Sequence, residues 1–446
     1  MTDAAGVEGG RYEAAVAALA DRGRFGVRLG LGRTRALLRA LGDPQRSLAG
    51  ALVAGTNGKG SVLALAGSAL RDAGYRVGET PKPHLVSYRE RIQVDGIPIP
   101  PDTFADLVEA ALPLAERVGR RLGPATEFEL LTAVMFRFFA DAALDVALVE
   151  VGLGGRLDAT HAWDGGVAVV TNVGLDHTDR LGSTVEAIAR EKAAIIERGD
   201  RAVTGAVEPA LGVIRRRARR VGAPLRVVTP APILAVERDG ILVELPSLGP
   251  TRVGLRGRHQ AGNVAVADAI LDALDEAGIA RVPDDARRRG YAAARWPGRL
   301  ELVGPSEATR GREVLLDGAH NPDGAAALAE ALDDLAPHLA RGPLALVMAA
   351  MGDKDLPGIV RALARSRALD GGRVVGTSLP LPRALPANAI AEEWRAAGFD
   401  AAVEPDADAA FESALALPGG PIVVAGSLYL VGRVRARIVP GAAVAG

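Results

Sequence analysis

A glycine-rich stretch, VAGTNGKGS at Val53–Ser61, constrains the fold of this chain more than any other feature. It follows an apolar run at residues 50–54 and precedes an alanine- and leucine-rich run from Ser61 to Asp72. We therefore predict a strand, a tight turn and a helix. The backbone N–H groups of such a turn and of the helix N-terminus point at an anion, which suits phosphate. Lys59 adds a mobile positive charge, and Ser61 offers a hydroxyl group to Mg²⁺.

This stretch departs from the strict Walker pattern. Val53 occupies the place of the first glycine, and Gly60 separates Lys59 from Ser61. A strand-to-helix turn that binds no ligand is therefore an open alternative at this point. Other segments of the chain have to decide between the two.

Composition narrows the class of protein. With 446 residues, 48% of them hydrophobic, the chain can form two or three globular domains. The formal net charge of −1 gives no general attraction to nucleic acid or to anionic membranes. The absence of cysteine excludes disulfides, thiolate metal sites and a cysteine nucleophile. The first ten residues do not resemble a signal peptide, and no apolar run approaches the ~20 residues of a membrane span, so we expect a cytoplasmic protein.

Short runs rich in valine, isoleucine and leucine alternate with helical patterns, which predicts an α/β fold with mainly parallel sheets covered by helices. The predicted strands are 52–54, 145–151 and 167–172, with later ones starting at Val314, Leu344, Val374 and Pro421. The predicted helices include 61–72, 101–121, 127–142 and about 263–277. A basic run followed by Pro297-Gly298 suggests a domain boundary near Arg295. We therefore predict one domain at 1–295 and a smaller one at 296–446.

A second polar turn follows the apolar run LDVALVE, which ends at Glu150. Ligands of open α/β sheets gather outside the carboxyl ends of the strands, so Glu150 is a candidate Mg²⁺ ligand. A solvated charge at a strand end is the alternative. The nearby glycines imitate a dinucleotide-binding fingerprint, but Leu157 stands where its third glycine belongs, which makes a nicotinamide site a weak interpretation.

The third polar turn contains Asp176, His177 and Asp179 after the apolar run VAVV. Three such strand ends are expected to meet in one cleft. His177 either orients a catalytic group, binds metal or caps its loop through hydrogen bonds. Mg²⁺ prefers oxygen ligands, so residue type alone does not assign His177 to the metal.

Lys192 lies on the helix that follows this turn. At helical spacing it shares a face with the apolar residues Val185, Ile188, Ala189, Ile195 and Ile196. Its side chain either reaches past that face to solvent or has a function. If the amine is desolvated, its pKa falls, and a neutral amine can take up CO₂ as a carbamate that binds a second cation.

Eight short segments of the chain resemble motifs of a known protein family. They occur in this order over nearly the whole chain: AGTNGKGS, PHLVSYRERI, EVGLGGRLDAT, TNVGLDHTDRLG, EKAAII, HQAGN, WPGRLE and DGAHNP. The chain resembles the folylpolyglutamate synthases and dihydrofolate synthases of the Mur ligase superfamily. This resemblance implies an ATP-dependent ligase that joins glutamate to a pteroate or folate carboxylate. It also implies an N-terminal P-loop-type ATPase domain, a C-terminal Rossmann-like domain and an active site between them.

The resemblance assigns roles to residues of this chain. The phosphates of ATP would lie on the loop formed by Gly55, Thr56, Asn57, Gly58, Lys59, Gly60 and Ser61. Ser61, Glu150 and His177 would bind the first Mg²⁺, and Lys192, as a carbamate, the second. The nucleotide would also contact Asn263, Arg299 and Asp317, with Arg299 reaching the phosphates and His320 serving the incoming glutamate. The acceptor substrate would contact His84, Leu85, Arg91 and Asp158.

Three positions depart from the family's common pattern. Lys82 stands where serine is frequent, His161 where asparagine is frequent and Ala194 where glycine is frequent. Because Lys82 lies in the segment expected to help bind the pterin, its presence puts substrate preference in doubt. The expected partners are small molecules only, and we expect a monomer. A nucleotide-regulated binding protein and a cell-wall ligase of the Mur type are the alternatives.

Overall fold

The computed structural model describes residues 4–26 and 28–442, and the side chains from residue 10 onward within those ranges. By their internal contacts, the described residues form two compact units. The first unit comprises residues of 1–84, 88–231 and 262–293, and the second comprises 85–87, 232–261 and residues from 294 onward.

Helices and strands are interspersed along the chain. The α-helices are α1 (Ala4–Asp21), α2 (Gly32–Ala40), α3 (Lys59–Asp72), α4 (Pro101–Leu122), α5 (Glu127–Asp141), α6 (Thr178–Leu181), α7 (Val185–Ala193), α8 (Ala210–Val221), α9 (Gln260–Glu276), α10 (Asp284–Ala293), α11 (Pro322–Leu335), α12 (Leu356–Leu363), α13 (Ala387–Ala396), α14 (Ala407–Ala416) and α15 (Leu428–Ile438). The strands are β1 (Gly50–Ala54), β2 (Val77–Thr80), β3 (Gln93–Val94), β4 (Ile97–Pro98), β5 (Val146–Glu150), β6 (Gly166–Val170), β7 (Arg201–Thr204), β8 (Leu225–Val227), β9 (Ile233–Glu237), β10 (Gly240–Leu245), β11 (Gly249–Val253), β12 (Glu301–Val303), β13 (Val314–Leu316), β14 (Ala345–Met348), β15 (Arg373–Gly376), β16 (Asp400–Val403) and β17 (Ile422–Ala425).

The first unit is built on an eight-stranded sheet in the order β4-β3-β2-β5-β1-β6-β7-β8. All neighbours from β2 to β8 are parallel, and only β3 and β4 pair antiparallel at one edge. Every residue of β1 and β5 is buried, as expected for central strands of a parallel sheet that is covered on both faces. The three strands predicted to carry polar turns, β5, β1 and β6, are direct neighbours, so their carboxyl ends lie side by side.

Side-chain caps fix several helix starts in this unit. Thr126 and Glu129 form a capping box at the start of α5, and Thr184 accepts a hydrogen bond from Ala187 N at the start of α7. Helix α5 contributes Phe136 and Phe139 to the core beneath the sheet. The Phe136 ring packs against that of Trp163, in the segment after β5, with ring centres 5.8 Å apart.

The second unit contains two sheets. The larger has the order β12-β13-β17-β14-β15-β16 and is parallel except for β12. The smaller is an antiparallel sheet of β9, β10 and β11. Trp394 and Leu346 lie in the core on one side of the larger sheet, and Phe411 and Val424 belong to the core cluster on the other.

The predicted α/β class is confirmed, and the predicted strands and helices agree with the structure to within a few residues. One difference concerns α7, which ends at Ala193, so Ile195 and Ile196 lie beyond the helix rather than on its face. Strands β2 to β4, β7 to β12 and β16 were not predicted. In the part of the chain that the structure describes, no helix is both long and apolar enough to cross a membrane. The division at residues 295 and 296 stays a prediction.

Candidate functional site

The glycine-rich loop connects β1 to α3 with a backbone that admits no side chain at two positions. A Cβ atom at Gly55 would clash with the hydroxyl group of Thr171. Gly58 adopts a left-handed conformation, with a φ of 81°, and a Cβ atom there would clash with the side-chain oxygen of Asn263. Because Asn263 lies against the loop, the structure brings together two segments that are far apart in sequence.

The segment after β6 fixes the shape of this loop. Thr56 N donates to the Asn172 carbonyl at 3.1 Å, and Asn57 N donates to the Asn172 side chain at 2.9 Å. The Thr171 hydroxyl donates to the Asn57 carbonyl at 2.7 Å. Thr171 and Asn172 therefore support the loop, a role that the sequence analysis missed although it had singled out their segment.

Lys59 folds back over the loop. Its Nζ donates to the carbonyl oxygens of Gly55 at 3.1 Å and Thr56 at 3.3 Å. The same Nζ lies 3.8 Å from Glu150 Oε1. The ammonium group thus stands between the loop and the acid at the end of β5, where a bound anion could replace its contacts with the loop carbonyls.

Glu150 is buried, with 3% of its surface exposed, which rules out the interpretation as a solvated charge. Its backbone N–H donates to the Thr80 hydroxyl at 2.8 Å, and its Oε2 accepts a hydrogen bond from Lys82 N at 3.1 Å. The carboxylate is therefore held by β2 and by the segment that follows it. Lys59 faces its other oxygen.

Lys192 also points at the loop. It is 5% exposed, and its Nζ donates to the Gly55 carbonyl at 2.9 Å. The alternative interpretation, that the Lys192 side chain reaches past its helix to solvent, is therefore wrong. Burial, together with the positive charge of Lys59, lowers the pKa of Lys192 to about 7, although Asp176 and Asp158 oppose this shift. A large fraction of this amine is neutral near pH 7, and only the neutral amine can form a carbamate.

His177 begins α6 with a left-handed backbone, at a φ of 49°. Its Nε2 lies 3.8 Å from Asp176 Oδ2, and 45% of its side chain is exposed. Among the described residues, no three His, Asp or Glu side chains come together as a metal cluster. The metal-binding role of His177 stays a prediction, whereas Ser61 and Glu150 offer the oxygen ligands that Mg²⁺ prefers.

The segment after β2 brings His84 and Arg91 together. Arg91 Nε donates to His84 Nδ1 at 2.8 Å, and the ring of Tyr88 lies 4.5 Å from that of His84. Burial, reinforced by the charge of Arg91, lowers the pKa of His84 to about 3, so this histidine is neutral at physiological pH. Glu127 accepts a hydrogen bond from the Tyr88 hydroxyl at 3.0 Å and lies 3.8 Å from Arg91.

Two other predicted substrate residues have structural contacts of their own. Asp158 accepts hydrogen bonds from Leu153 N, Thr160 N and the Thr160 hydroxyl at 2.6–3.0 Å, which orders the glycine-rich turn after β5. Leu85 groups with the second unit and packs against its core. Their roles in substrate binding stay predictions.

In the second unit, the turn after β13 holds Asp317 and His320. The carboxylate of Asp317 accepts hydrogen bonds from Leu300 N at 2.8 Å and Ala319 N at 2.9 Å. Burial raises the pKa of Asp317, and the charge of Arg299 partly opposes this shift. His320 Nδ1 lies 2.7 Å from the Gly318 carbonyl, which can only accept, so Nδ1 carries the proton.

Lys82 is the main residue that the sequence analysis left without a site role. Its Nζ donates to the Glu150 carbonyl and lies 4.8 Å from the centre of the Phe128 ring. Burial lowers its pKa to about 8, while Asp158 and Glu150 act in the opposite direction. A compositional signal could have found it, because only four of the 53 basic residues are lysines. Lys59 and Lys192 contact the loop, Lys82 contacts Glu150, and the fourth, Lys354, follows β14 in the second unit.

Comparison with known proteins agrees with this geometry. Residues 53–229 match the Mur ligase middle domain, and residues 298–428 match the glutamate ligase domain of Mur ligases. The chain is 34% identical over 437 residues to the dihydrofolate synthase/folylpolyglutamate synthase of Bacillus subtilis, covering 96% of this chain and 99% of that protein.

Solved structures give the same result. The folylpolyglutamate synthase of Mycobacterium tuberculosis complexed with ADP and AMPPCP matches with a TM-score of 0.85 and 33% identity, over 97% of this chain and 99% of that one. E. coli FolC in complex with DHPP and ADP matches with a TM-score of 0.78 and 31% identity, over 94% and 96% of the two chains. This chain therefore belongs to the folylpolyglutamate synthase/dihydrofolate synthase family of ATP-dependent ligases within the Mur ligase superfamily.

Proposed function

We propose that this protein uses ATP to join L-glutamate to dihydropteroate, to a glutamylated reduced folate, or to both, through an acyl-phosphate intermediate. The observation that carries the proposal is the convergence of Lys59, Glu150 and Lys192 on the glycine-rich loop at the ends of β1 and β5. A turn of this kind binds phosphate, and Lys59 supplies positive charge beside a triphosphate.

ATP would lie with its phosphates on residues 55–61. Asn263, which already packs against Gly58, would also contact the nucleotide. Arg299 would contact the phosphates and Asp317 the nucleotide. Two of the related structures contain nucleotide, one with ADP and AMPPCP and one with ADP and DHPP, which supports this assignment. In functional terms we divide the chain into an ATP-binding domain at 1–295 and a glutamate-ligase domain at 296–446.

Mg²⁺ fits the donor set at the loop. Ser61 and Glu150 would hold one ion together with His177, and the carbamate of Lys192 would hold a second. When bound, these ions would neutralise negative charge on the transferring phosphoryl group. The lowered pKa of Lys192 supports the carbamate, because a buried neutral amine is the form that reacts with CO₂.

The chemistry follows from the poor reactivity of a carboxylate toward amines. Its oxygen attacks the γ-phosphorus of ATP, the bond between that phosphorus and the bridging oxygen breaks, and ADP leaves. The acyl phosphate then reacts with the unprotonated α-amine of glutamate, which forms the amide and releases inorganic phosphate. Lys59 and Arg299 would stabilise charge during the first step. His320 would serve the incoming glutamate.

The acceptor would bind near the segment after β2. His84 and Arg91 form a neutral histidine and a fixed cation in contact with each other, and Asp158 lies in the turn after β5. We assign these three residues, with Leu85, to the acceptor substrate. We also propose that the enzyme acts as a monomer in the cytoplasm, with no nucleic-acid or membrane partner.

One assay tests the proposal directly. The purified protein is incubated with ATP, Mg²⁺ and glutamate, each acceptor is offered separately, and the products are identified by mass. We expect a mass increase of one glutamate residue and phosphate release that requires both acceptor and glutamate. Phosphate release without glutamate would instead favour a nucleotide-regulated binding protein, and no product with either acceptor would favour another Mur-type amide ligase.

A further inference from the structure

Lys82 lies directly beside the acid of the proposed metal site, and the proposed mechanism does not use it. It follows β2, and three contacts within the first unit define its position. Its backbone N–H donates to Glu150 Oε2 at 3.1 Å, its Nζ donates to the Glu150 carbonyl, and that Nζ lies 4.8 Å from the Phe128 ring centre. Lys82 therefore contacts both the backbone and the side chain of Glu150.

The Phe128 ring keeps the ammonium group in place. A cation over an aromatic face is attracted by the electron-rich ring, and this attraction grows where water is excluded. An ammonium group has three N–H donors, and the Glu150 carbonyl accepts from one of them. The positive charge of Lys82 is thus fixed at the end of β5.

Two cationic side chains consequently lie close to Glu150. Lys59 Nζ lies 3.8 Å from Glu150 Oε1, while Lys82 approaches Glu150 from the side of Oε2 and the backbone. Asp158 also carries a negative charge near Lys82, and its carboxylate accepts hydrogen bonds from three N–H and O–H groups. The Lys82 ammonium therefore adds a second positive charge beside Glu150 before any ligand binds.

The positive charge of Lys82 has two electrostatic consequences. A divalent cation that binds Glu150 is repelled by the Lys82 ammonium over a distance of a few ångströms, and this repulsion is strong where the dielectric constant is low. A bound triphosphate, in contrast, is attracted by the same ammonium whether or not a metal is present. Both effects reduce the advantage that Mg²⁺ gives to nucleotide binding.

We propose that Lys82 is a resident cation that shares with Mg²⁺ the neutralisation of Glu150 and of the anion on the glycine-rich loop. The inference rests on the proposed function, because it requires nucleotide at that loop. It makes Lys82 a positioning residue that sets how strongly nucleotide binding depends on the metal. The family's common serine at this position would lack that charge.

The test measures binding of AMPPCP, which avoids turnover, by calorimetry in the presence of Mg²⁺ and again with the metal chelated. The quantity compared is the ratio of the dissociation constant without metal to that with metal. We expect this ratio to rise about tenfold or more in Lys82→Ser and in Lys82→Gln relative to the wild type. Lys82→Arg keeps the charge and is expected to stay within about threefold of the wild type.

Several results would overturn the inference. An unchanged ratio in both neutral variants would mean that the charge has no role, and a raised ratio in Lys82→Arg equal to that of Lys82→Ser would mean that shape alone matters. Thermal unfolding of each variant shows whether it is folded, and the glutamine variant serves if the serine variant is not. If the wild type fails to bind AMPPCP, or if Lys59→Ala binds it equally well, the proposed function fails as well.

Discussion

At the end of β1, the side chains of Lys59 and Lys192 converge on one backbone carbonyl, that of Gly55. At the end of β13, in the second unit, the Asp317 carboxylate instead accepts hydrogen bonds from two backbone N–H groups. Both turns follow a buried strand, contain glycine and carry charged residues. The same sequence pattern is therefore used in two physically different ways.

The difference lies in what each charged group loses when a ligand arrives. An ammonium group on a carbonyl can move to a phosphate with little cost, because the carbonyl retains other partners or water. The Asp317 carboxylate cannot turn away without leaving two buried N–H groups unpaired, which costs more than a hydrogen bond normally contributes. The first turn is thus ready to exchange partners, whereas Asp317 maintains the shape of the second.

The largest expected effect concerns Lys192, which contacts the turn after β1. Lys192→Ala and Lys192→Arg both remove the amine that can become a carbamate, and we expect glutamate-dependent phosphate release to fall by about 10²–10³-fold or more. AMPPCP binding should remain measurable in both variants. The control is Arg190→Ala, an exposed position on the same helix, which should retain normal activity. Full activity in Lys192→Ala would contradict the carbamate role.

A smaller effect tests whether Asp317 maintains the shape of the turn after β13. Asp317→Asn places an amide N–H against a backbone donor, so we expect the free energy of unfolding in urea to fall by about 1–3 kcal/mol. Asp323→Asn, at an exposed position in the first turn of α11, is the matched control and should change it by less than about 0.5 kcal/mol. Equal stability of the two variants would remove the distinction drawn between the two turns.

The smallest effect concerns one property that the two units share. Each holds a histidine beside an arginine: the pKa of His84 is lowered to about 3 by desolvation and Arg91, and that of His259 to about 4 by desolvation and Arg299. Neither ring should titrate between pH 5 and 8 in NMR spectra. Below about pH 6.5 the unfolded chain binds protons that these rings do not, so each lowers stability as the pH falls toward its folded pKa.

The glutamine variants His84→Gln and His259→Gln assign the two NMR signals. Each variant should also lose less stability than the wild type between pH 6.5 and 4, because its acid-sensitive group is absent. A histidine signal that titrates near pH 6.5 and disappears in one of these variants would show that the ring is solvated. The comparison between the two units would then rest on Lys59, Lys192 and Asp317 alone.

Much of the site could be predicted from local sequence. The turn at Gly55–Ser61, the acid Glu150 and the polar turn around His177 each follow a short apolar run, and parallel strands bring such ends to one edge of the sheet. Lys192 was identified by its position on an apolar helix face. Local patterns could not reveal that Asn263 packs against Gly58 or that Thr171 and Asn172 hold the loop, because these contacts join residues more than 100 positions apart.

The sequence by itself determined the α/β class, the positions of the strand-end turns and the family, because periodicity and short motifs are properties of neighbouring residues. Only the tertiary structure decided the state of each charged group. Lys192 is buried against Gly55 rather than extended to solvent, Lys82 stands beside Glu150, and Asp317 is held by backbone N–H groups. The physical reason is that desolvation, hydrogen bonding and nearby charge depend on residues that the fold brings together from distant parts of the chain.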